Sequence, residues 1–293
     1  MSQQTRCFHI VFCIFICIFI SACASRFPSP ELDSSPNSDL SAEQIFSKTF
    51  LQHGGHALDK LNDVNVSLTG KWKPLIKRIQ PLVTDFNYRV DSQERLFPHS
   101  GGYVAIYSGP SGSKKVIRSP NSLEVYYNGV ESTDQEVLSS TALTADAFHM
   151  FLLGPLSFKK WQNDFIRLTD ALDKGNSYYR LYLNKQPGFG YSSADEIILW
   201  IDKQSLRTFR IQITLQGHST TQNAHVEVDY LEFIQSGDYL FPSVFFERVK
   251  APIAIDAHAW HLTGLDINRG TSVTDYLGND INITPAKKLN LEK

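Results

Sequence analysis

The chain has 293 residues, of which 42% are hydrophobic, 12% aromatic and 20% charged. Its 28 basic and 30 acidic residues give a formal net charge of -2, which argues against a nucleic-acid-binding surface, because such surfaces need clustered Lys and Arg. The aromatic content excludes a disordered or collagen-like chain. All four cysteines lie before residue 24, so the later chain offers neither a disulfide nor a thiolate zinc site.

Residues 1–22 are typical of a secretory signal peptide. Arg6 precedes an apolar run over residues 10–20, and the small residues Ser21 and Ala22 follow it. As a helix this run is too short to cross a hydrocarbon core of about 30 Å. The pattern therefore predicts export rather than a permanent transmembrane segment.

The four residues Ile20-Ser21-Ala22-Cys23 resemble the bacterial lipobox. The resemblance implies cleavage before Cys23 and acylation of that cysteine, with chains such as palmitate. Each buried methylene contributes about 0.8 kcal/mol, so two or three chains anchor a protein durably. In lipoproteins retained in the inner membrane, Asp typically follows the acylated cysteine, whereas this sequence has Ala24 there. The resemblance therefore favours an outer-membrane lipoprotein with its domain facing the periplasm. The alternative is an ordinary secreted protein cut near Ala22 or Ala24.

The mature chain is predicted to contain a tether, one domain and a short tail. Residues 23–40 are rich in Ser, Pro, Asn and Asp, a composition that predicts a disordered, lipidated tether. Residues 41–285 are long enough for a single domain, and residues 286–293 form a C-terminal tail.

Helices are predicted at the start and in the middle of this domain. Ser41 and Gln44 form a capping box, and the apolar residues that follow recur at helical spacing until Gly54 and Gly55 end the helix. Residues 144–153 predict a second helix, and residues 157–163 a short companion.

Most other segments alternate apolar and polar residues, which is typical of strands with one buried face. The predicted strands include residues 64–68, 86–90, 103–107, 179–183, 197–201, 209–215, 226–230 and 244–249. Short Gly-containing turns join them, so the sheet should be antiparallel, and residues from 251 onward are interpreted as an addition outside it. The predicted fold class is α+β, with a strongly curved antiparallel sheet, an incomplete β-barrel, covered by helices.

The sequence contains no nucleophile elbow, no phosphate-binding loop and no H-E-x-x-H motif. Asp195 and Glu196 are adjacent carboxylates that open a strand and point to opposite faces, which predicts a solvated strand entrance rather than glycosidase chemistry. We therefore expect a protein that is not an enzyme.

Histidines supply the remaining metal candidates. His53 and His56 flank the glycines that end the first helix, and those glycines are explained by helix termination alone. Asp256, His258 and His261 would need a bulge to converge on one ion. We predict no metal and no cofactor at either place.

Residues 195–250 carry a family resemblance. A strand over 197–202 turns at 203–205 and returns over 206–211, and two further strands are joined by a loop at 236–242. This order, with the helix before it, resembles the outer-membrane lipoprotein-sorting carriers of the LolA/LolB-like fold, in which helices cover an incomplete antiparallel barrel. No ligand residue of the carriers aligns with a residue of this sequence.

The patterns together predict an outer-membrane lipoprotein that binds a hydrophobic ligand between the curved sheet and the helices. Such a ligand would be an acyl chain, a lipid or a lipoprotein anchor, and its binding would serve envelope lipid or lipoprotein transport. The cavity candidates, chosen by face and size, are Tyr88, Tyr103, Phe148, Phe151, Trp200 and Phe246. The alternatives are an accessory or scaffold lipoprotein with an envelope protein partner, and a metal-dependent hydrolase using His258 and His261.

Overall fold

The computed structural model describes residues 26–30 and 40–290. The predicted signal peptide, the acylated Cys23 and most of the predicted tether lie outside the described residues, and those statements remain predictions.

The domain is built on one antiparallel sheet of 13 strands in the order β6-β5-β4-β3-β2-β1-β13-β12-β11-β10-β9-β8-β7. The strands are β1 Val64–Trp72, β2 Asp91–Phe97, β3 Gly102–Gly109, β4 Gly112–Ser119, β5 Ser122–Tyr127, β6 Val130–Glu131, β7 Ile166–Asp173, β8 Asn176–Lys185, β9 Asp195–Asp202, β10 Thr208–Thr214, β11 His225–Ser236, β12 Tyr239–Ala251 and β13 Ile255–Ile267. Among the described residues β6 and β7 are the two edges, so the sheet remains open. The predicted fold class is confirmed.

Within the part of the chain that the structure describes, three α-helices accompany the sheet, α1 Ala42–Gln52, α2 Pro74–Ile79 and α3 Gln135–Leu153. Short 3-10 helices over Gly55–Lys60 and Gly154–Trp161 follow α1 and α3. The predicted capping box of α1 is present, with Ser41 and Gln44 bonded reciprocally. The segment Gln135–Trp161 is long and apolar enough to cross a membrane, but 78% of its most apolar window is buried in the domain, as in a core helix.

The sheet curves around α3. This helix contacts β3, β4 and β5 on one side and β12 on the other. In a flat sheet β4 and β12 would lie about 24 Å apart, five strand spacings, whereas a helix with side chains is only about 10–12 Å wide. The concave face of the sheet therefore wraps α3, and the main hydrophobic core lies between them.

The prediction that the sheet ends near residue 249 is wrong. Residues Ile255–Ile267 form β13, which pairs with both β1 and β12 and joins the two halves of the sheet. Register shifts between Ser67 and Leu68 and between Glu247 and Arg248 interrupt both pairings. A bulge breaks the two-residue alternation, which explains why the pattern did not identify the strand.

A predicted strand over residues 86–90 is also replaced by turns. Asp85 and Asn87 have positive φ angles of 48° and 67°, which interrupt an extended strand. The helix α3, in turn, begins nine residues before its predicted start, where the Asp134 side chain caps the nitrogens of Glu136 and Val137.

Candidate functional site

The space enclosed by the concave face is filled by side chains of the protein. Phe148 and Phe151 of α3 pack on Trp260 of β13, with ring centroids 4.9 and 6.5 Å apart. Trp260 in turn stacks on Phe245 at 5.0 Å. Tyr103 is fully buried beneath the helix. Three of the predicted cavity residues therefore belong to the closed core.

Charged groups occupy one end of this interior. Glu94 accepts hydrogen bonds from Arg89 at 2.9 Å, Ser92 at 2.7 Å and Tyr103 at 2.7 Å. The Arg89 guanidinium lies 3.7 Å from the Phe148 ring centroid. Burial alone would lower the pKa of Arg89, but its charged and phenolic neighbours raise it overall, so the guanidinium stays charged.

A second ion pair is buried nearby. Lys114 of β4 bonds Asp85 and donates to Thr141 of α3 at 2.7 Å. Burial lowers the pKa of Lys114, and the carboxylate of Asp85 opposes that shift. A void of about 10 Å³ remains between Arg89, Phe148 and the strand β13, which is room for about one water molecule.

The other cavity candidates lie elsewhere. Tyr88 is half-buried on the turn before β2, with its ring 4.7 Å from that of Tyr127. Trp200 lies on the convex face, where its Nε1 donates to Gln212 Oε1 at 2.9 Å. Phe246 also lies there, under the guanidinium of Arg248. The structure does not bring the six residues together around one volume.

An open volume of about 750 Å³ lies instead beside α3, where turns of the first half of the sheet face a loop of the second half. We call it the seam cleft. Its walls are α3, the 3-10 helix Gly154–Trp161, the β2–β3 and β4–β5 turns, and the β8–β9 loop at residues 186–194. Tyr191 along it is 61% exposed, and Leu123 and Trp161 are partly buried. Five further apolar side chains of its lining are buried behind them: Leu58, Met150, Leu156, Phe158 and Phe189.

One carboxylate joins three walls of the seam cleft. Asp146 of α3 accepts hydrogen bonds from Arg118 of β4 at 2.9 and 3.1 Å. It also accepts one from the nitrogen of Gly190 in the β8–β9 loop at 2.8 Å. The loop has a second fixed point, because the buried carboxylate of Asp195 accepts from the nitrogen of Phe189 at 2.8 Å. The prediction of a solvated role for Asp195 is therefore wrong.

The cleft also holds a partly buried cation. Lys185 Nζ donates to the carbonyl oxygens of Pro187 at 2.6 Å and Gly188 at 2.7 Å. It lies between the rings of Trp161 and Phe189, at 5.4 and 4.6 Å from their centroids. Burial lowers the pKa of Lys185 to about 8, although the charge of Asp146 opposes the shift. The ammonium is thus charged at neutral pH and close to the apolar floor.

Histidines serve the fold in this part of the molecule. His53 is buried, its Nε2 accepts from the nitrogen of Thr208 at 3.2 Å, and its Nδ1 bonds the oxygen of Leu240 at 3.0 Å. His258 stacks on Trp72 with centroids 4.1 Å apart, while His261 is exposed. Within residues 26–30 and 40–290 no group of three or more His, Cys, Asp or Glu side chains is placed to hold a metal ion.

Sequence patterns did not identify the seam cleft. Its walls come from turns and a loop that are distant along the chain, and only the curvature of the sheet brings them together. Arg118 and Asp146 carry opposite charges, but no spacing rule links a residue of a strand to a residue of a helix in this way.

No protein-family model matches the sequence, and a comparison with curated proteins finds no match. Among solved structures, the chain is similar to a LolA superfamily protein from Nitrosomonas europaea, with a TM-score of 0.49 and 12% identity over 81% of this chain and 100% of that chain. It is also similar to a Vibrio parahaemolyticus domain described as an outer membrane lipoprotein-sorting protein, with a TM-score of 0.36 and 10% identity over 78% of this chain and 97% of that one.

A DUF1329 family protein from Desulfovibrio piger gives a TM-score of 0.39 and 10% identity over 78% of this chain and 95% of that chain. The family that the sequence resembles is thus found among the structural neighbours, as a likeness of fold. At these identities and TM-scores the likeness carries no function to this chain.

Proposed function

We propose that this protein is an outer-membrane lipoprotein, anchored through an acylated Cys23, that binds a hydrophobic ligand in the seam cleft. The observation that carries the proposal is the cleft of about 750 Å³, whose accessible lining includes the side chains of Leu123, Trp161 and Tyr191. Ligand pockets commonly measure about 300–1,000 Å³ and are lined mainly by apolar side chains with a few polar groups.

The energetics permit reversible binding of an acyl chain. Burying about 15 methylenes at about 0.8 kcal/mol each gives about 12 kcal/mol before the cost of ordering the ligand. Lys185 would then lie near a polar or anionic end of the ligand, because its ammonium borders the apolar floor. A bound amphiphile, such as a fatty acid or a lipid, would contact the apolar lining with its chain and Lys185 with its polar end.

A charge placed on the cleft floor tests the proposal. Leu123 is only partly buried, so Leu123→Asp should fold, and it should weaken binding of a fluorescent long-chain fatty acid by about tenfold or more. Leu172→Asp is the matched control, because Leu172 is 74% exposed and lies on the edge strand β7. Mass spectrometry of the gently purified protein should also detect copurifying lipid. An empty protein that does not bind the fatty acid would contradict the proposal.

The closed interior favours a second candidate, an accessory or scaffold lipoprotein. Ion pairs and aromatic rings fill the concave side, which suits a rigid body that presents surfaces to a protein partner. Crosslinking in cells that recovers one stoichiometric envelope protein, together with an empty seam cleft, would support this candidate over ligand binding.

A further inference from the structure

A basic and apolar surface covers one end of the sheet. Residues 73–90 connect β1 to β2 through α2, and four of their large apolar side chains are solvent-exposed: Leu75 at 52%, Ile79 at 48%, Val90 at 46% and Phe86 at 45%. Leu75 and Ile79 are four residues apart in α2, so they lie on the same face of the helix. We call this surface the α2 patch.

The α2 patch is held rigidly from behind. Ile76 points the other way and is buried with Trp72 of β1 and Ala257 of β13 in a small hydrophobic cluster. The C-terminal side of α2 is tied to the domain by Gln80, whose side-chain amide exchanges two hydrogen bonds with Thr220, at 2.9 and 2.7 Å. The exposure of Leu75 and Ile79 is therefore a fixed property of the folded chain.

Basic residues flank these apolar side chains along the chain, and one exposed carboxylate, Asp256 of β13, lies next to Ala257, whose oxygen accepts from the Lys73 nitrogen at 2.9 Å. Lys71, Lys73 and Arg78 are exposed, and Lys77 lies 5.9 Å from the centroid of the Phe86 ring. The sequence from residue 64 to residue 84 contains no Asp or Glu. Asp85, the next carboxylate, is buried against Lys114 and does not offset the surface charge. The next exposed carboxylate along the chain is Asp91, at the start of β2.

The start of the described chain lies at the same end of the sheet. Phe27 contacts His225, with ring centroids 5.4 Å apart. His225 pairs with Ala251, at the end of β12 that leads to Ile255, and Ile255 packs on the cluster behind α2. Cys23 precedes Phe27 by four residues, which span at most about 14 Å. An acyl anchor on Cys23 would therefore bring this end of the domain close to the bilayer.

We infer that the α2 patch docks on an anionic lipid surface, with Leu75, Ile79 and Phe86 entering the interface and the basic residues contacting phosphate headgroups. The exposed apolar side chains suit the acyl chains of such a surface, and the flanking Lys and Arg suit its anionic headgroups. The inference rests on the anchoring part of the proposed function but not on the seam cleft, so a cleft that binds no ligand leaves the docking standing.

The test measures vesicle binding by the mature chain, residues 23–293, carrying Cys23→Ser. It lacks both the apolar run over residues 10–20 and the predicted acylation site. We expect it to bind phosphatidylethanolamine vesicles containing phosphatidylglycerol about tenfold more tightly than vesicles without it, and salt should reduce this preference. Lys73→Gln/Lys77→Gln/Arg78→Gln should remove the preference. Leu75→Ser/Ile79→Ser should weaken binding to both kinds of vesicle.

Leu172→Ser/Leu231→Ser is the matched control, because both leucines are exposed but lie outside the α2 patch. It should bind like its parent. The inference is overturned if the folded Cys23→Ser chain ignores phosphatidylglycerol, or if the charge variant binds as tightly as its parent. The salt dependence of vesicle binding by the Cys23→Ser chain is a second test, and it does not depend on how the α2 variants fold.

Discussion

Asp146 of α3 and Arg118 of β4 form a bidentate pair between helix and sheet, with hydrogen bonds of 2.9 and 3.1 Å. The same carboxylate accepts from the nitrogen of Gly190. One side chain on α3 thus fixes both a strand of the first half of the sheet and a loop of the second half, and the spacing between them sets the width of the seam cleft.

Asp146→Ala should therefore destabilise the protein and loosen the cleft. It leaves the largely buried Arg118 guanidinium and the Gly190 nitrogen without their acceptor, at a cost of about 1–3 kcal/mol. Urea denaturation measures this loss, with the exposed Asp238→Ala as a control that should change stability by less than about 0.5 kcal/mol. Equal stability of the two variants would contradict the role assigned to Asp146.

Gly190→Ala should lower the free energy of unfolding by more than alanine does at another glycine of similar backbone conformation. Gly190 has φ of +62°, and a Cβ there would lie 2.9 Å from the nitrogen of Leu143 in α3. Gly175 has φ of +85° with nothing within 4 Å, so Gly175→Ala has only the backbone cost, about 1–2 kcal/mol. The additional loss of stability at Gly190, about 1–3 kcal/mol, is due to the close approach of the loop to the helix. Thermal or urea unfolding of both variants supplies the comparison.

Removing one partner of the buried pair between Lys114 and Asp85 should be worse than removing both charges. Lys114→Met leaves the Asp85 carboxylate buried without its cation, which should cost about 3–5 kcal/mol. Lys114→Met/Asp85→Asn removes both charges and should recover at least half of that loss. Asn also tolerates the positive φ of residue 85. A double variant as unstable as the sum of its single variants would show that the pair is not a coupled unit.

His53 should make the fold sensitive to acid. Burial lowers the pKa of His53 to about 4 from 6.5, although its hydrogen bond to Leu240 opposes the shift. The unfolded chain therefore binds the proton more tightly, and the free energy of unfolding should fall as the pH drops from about 6.5 towards 4, by about 2–3 kcal/mol for this residue.

The His53→Gln variant tests this effect. It should be less stable than the wild type at neutral pH, because it loses the bond between Nε2 and the Thr208 nitrogen. On acidification its free energy of unfolding should fall by less than that of the wild type, as measured by urea unfolding at several pH values. An unchanged pH dependence would assign the acid sensitivity to other groups, among them His149, whose pKa burial also lowers to about 4.

Local patterns predicted those regular elements whose signal comes from residues close in sequence. The capping box at Ser41 and the alternation through Ile197, Leu199 and Ile201 depend on residues close in sequence, and the structure contains both features. The strand β13 was missed because bulges break its alternation and because the polar His258 occupies a buried position. The alternation of apolar and polar residues cannot predict that a contact distant in sequence buries a polar residue.

The charged interior and the seam cleft depend on long-range contacts. Lys114 looks solvent-exposed on a strand, and only its pairing with Asp85, on a turn outside the sheet, makes its burial favourable. The cleft likewise exists only after the sheet has curved and placed Gly190 against α3. Neither feature has a local signal, so no reading of spacing alone would identify them.

The central position of β13 constrains the order in which the chain folds. Val64 pairs with Ile267, so the middle of the sheet is completed by residues from nearly opposite ends of the domain. Until the last strand has paired, β1 and β12 each present an unpaired edge, and such edges promote association between chains. The unfolded chain should therefore depend on chaperones, and its folding should be slow and close to all-or-none once the final strand is available.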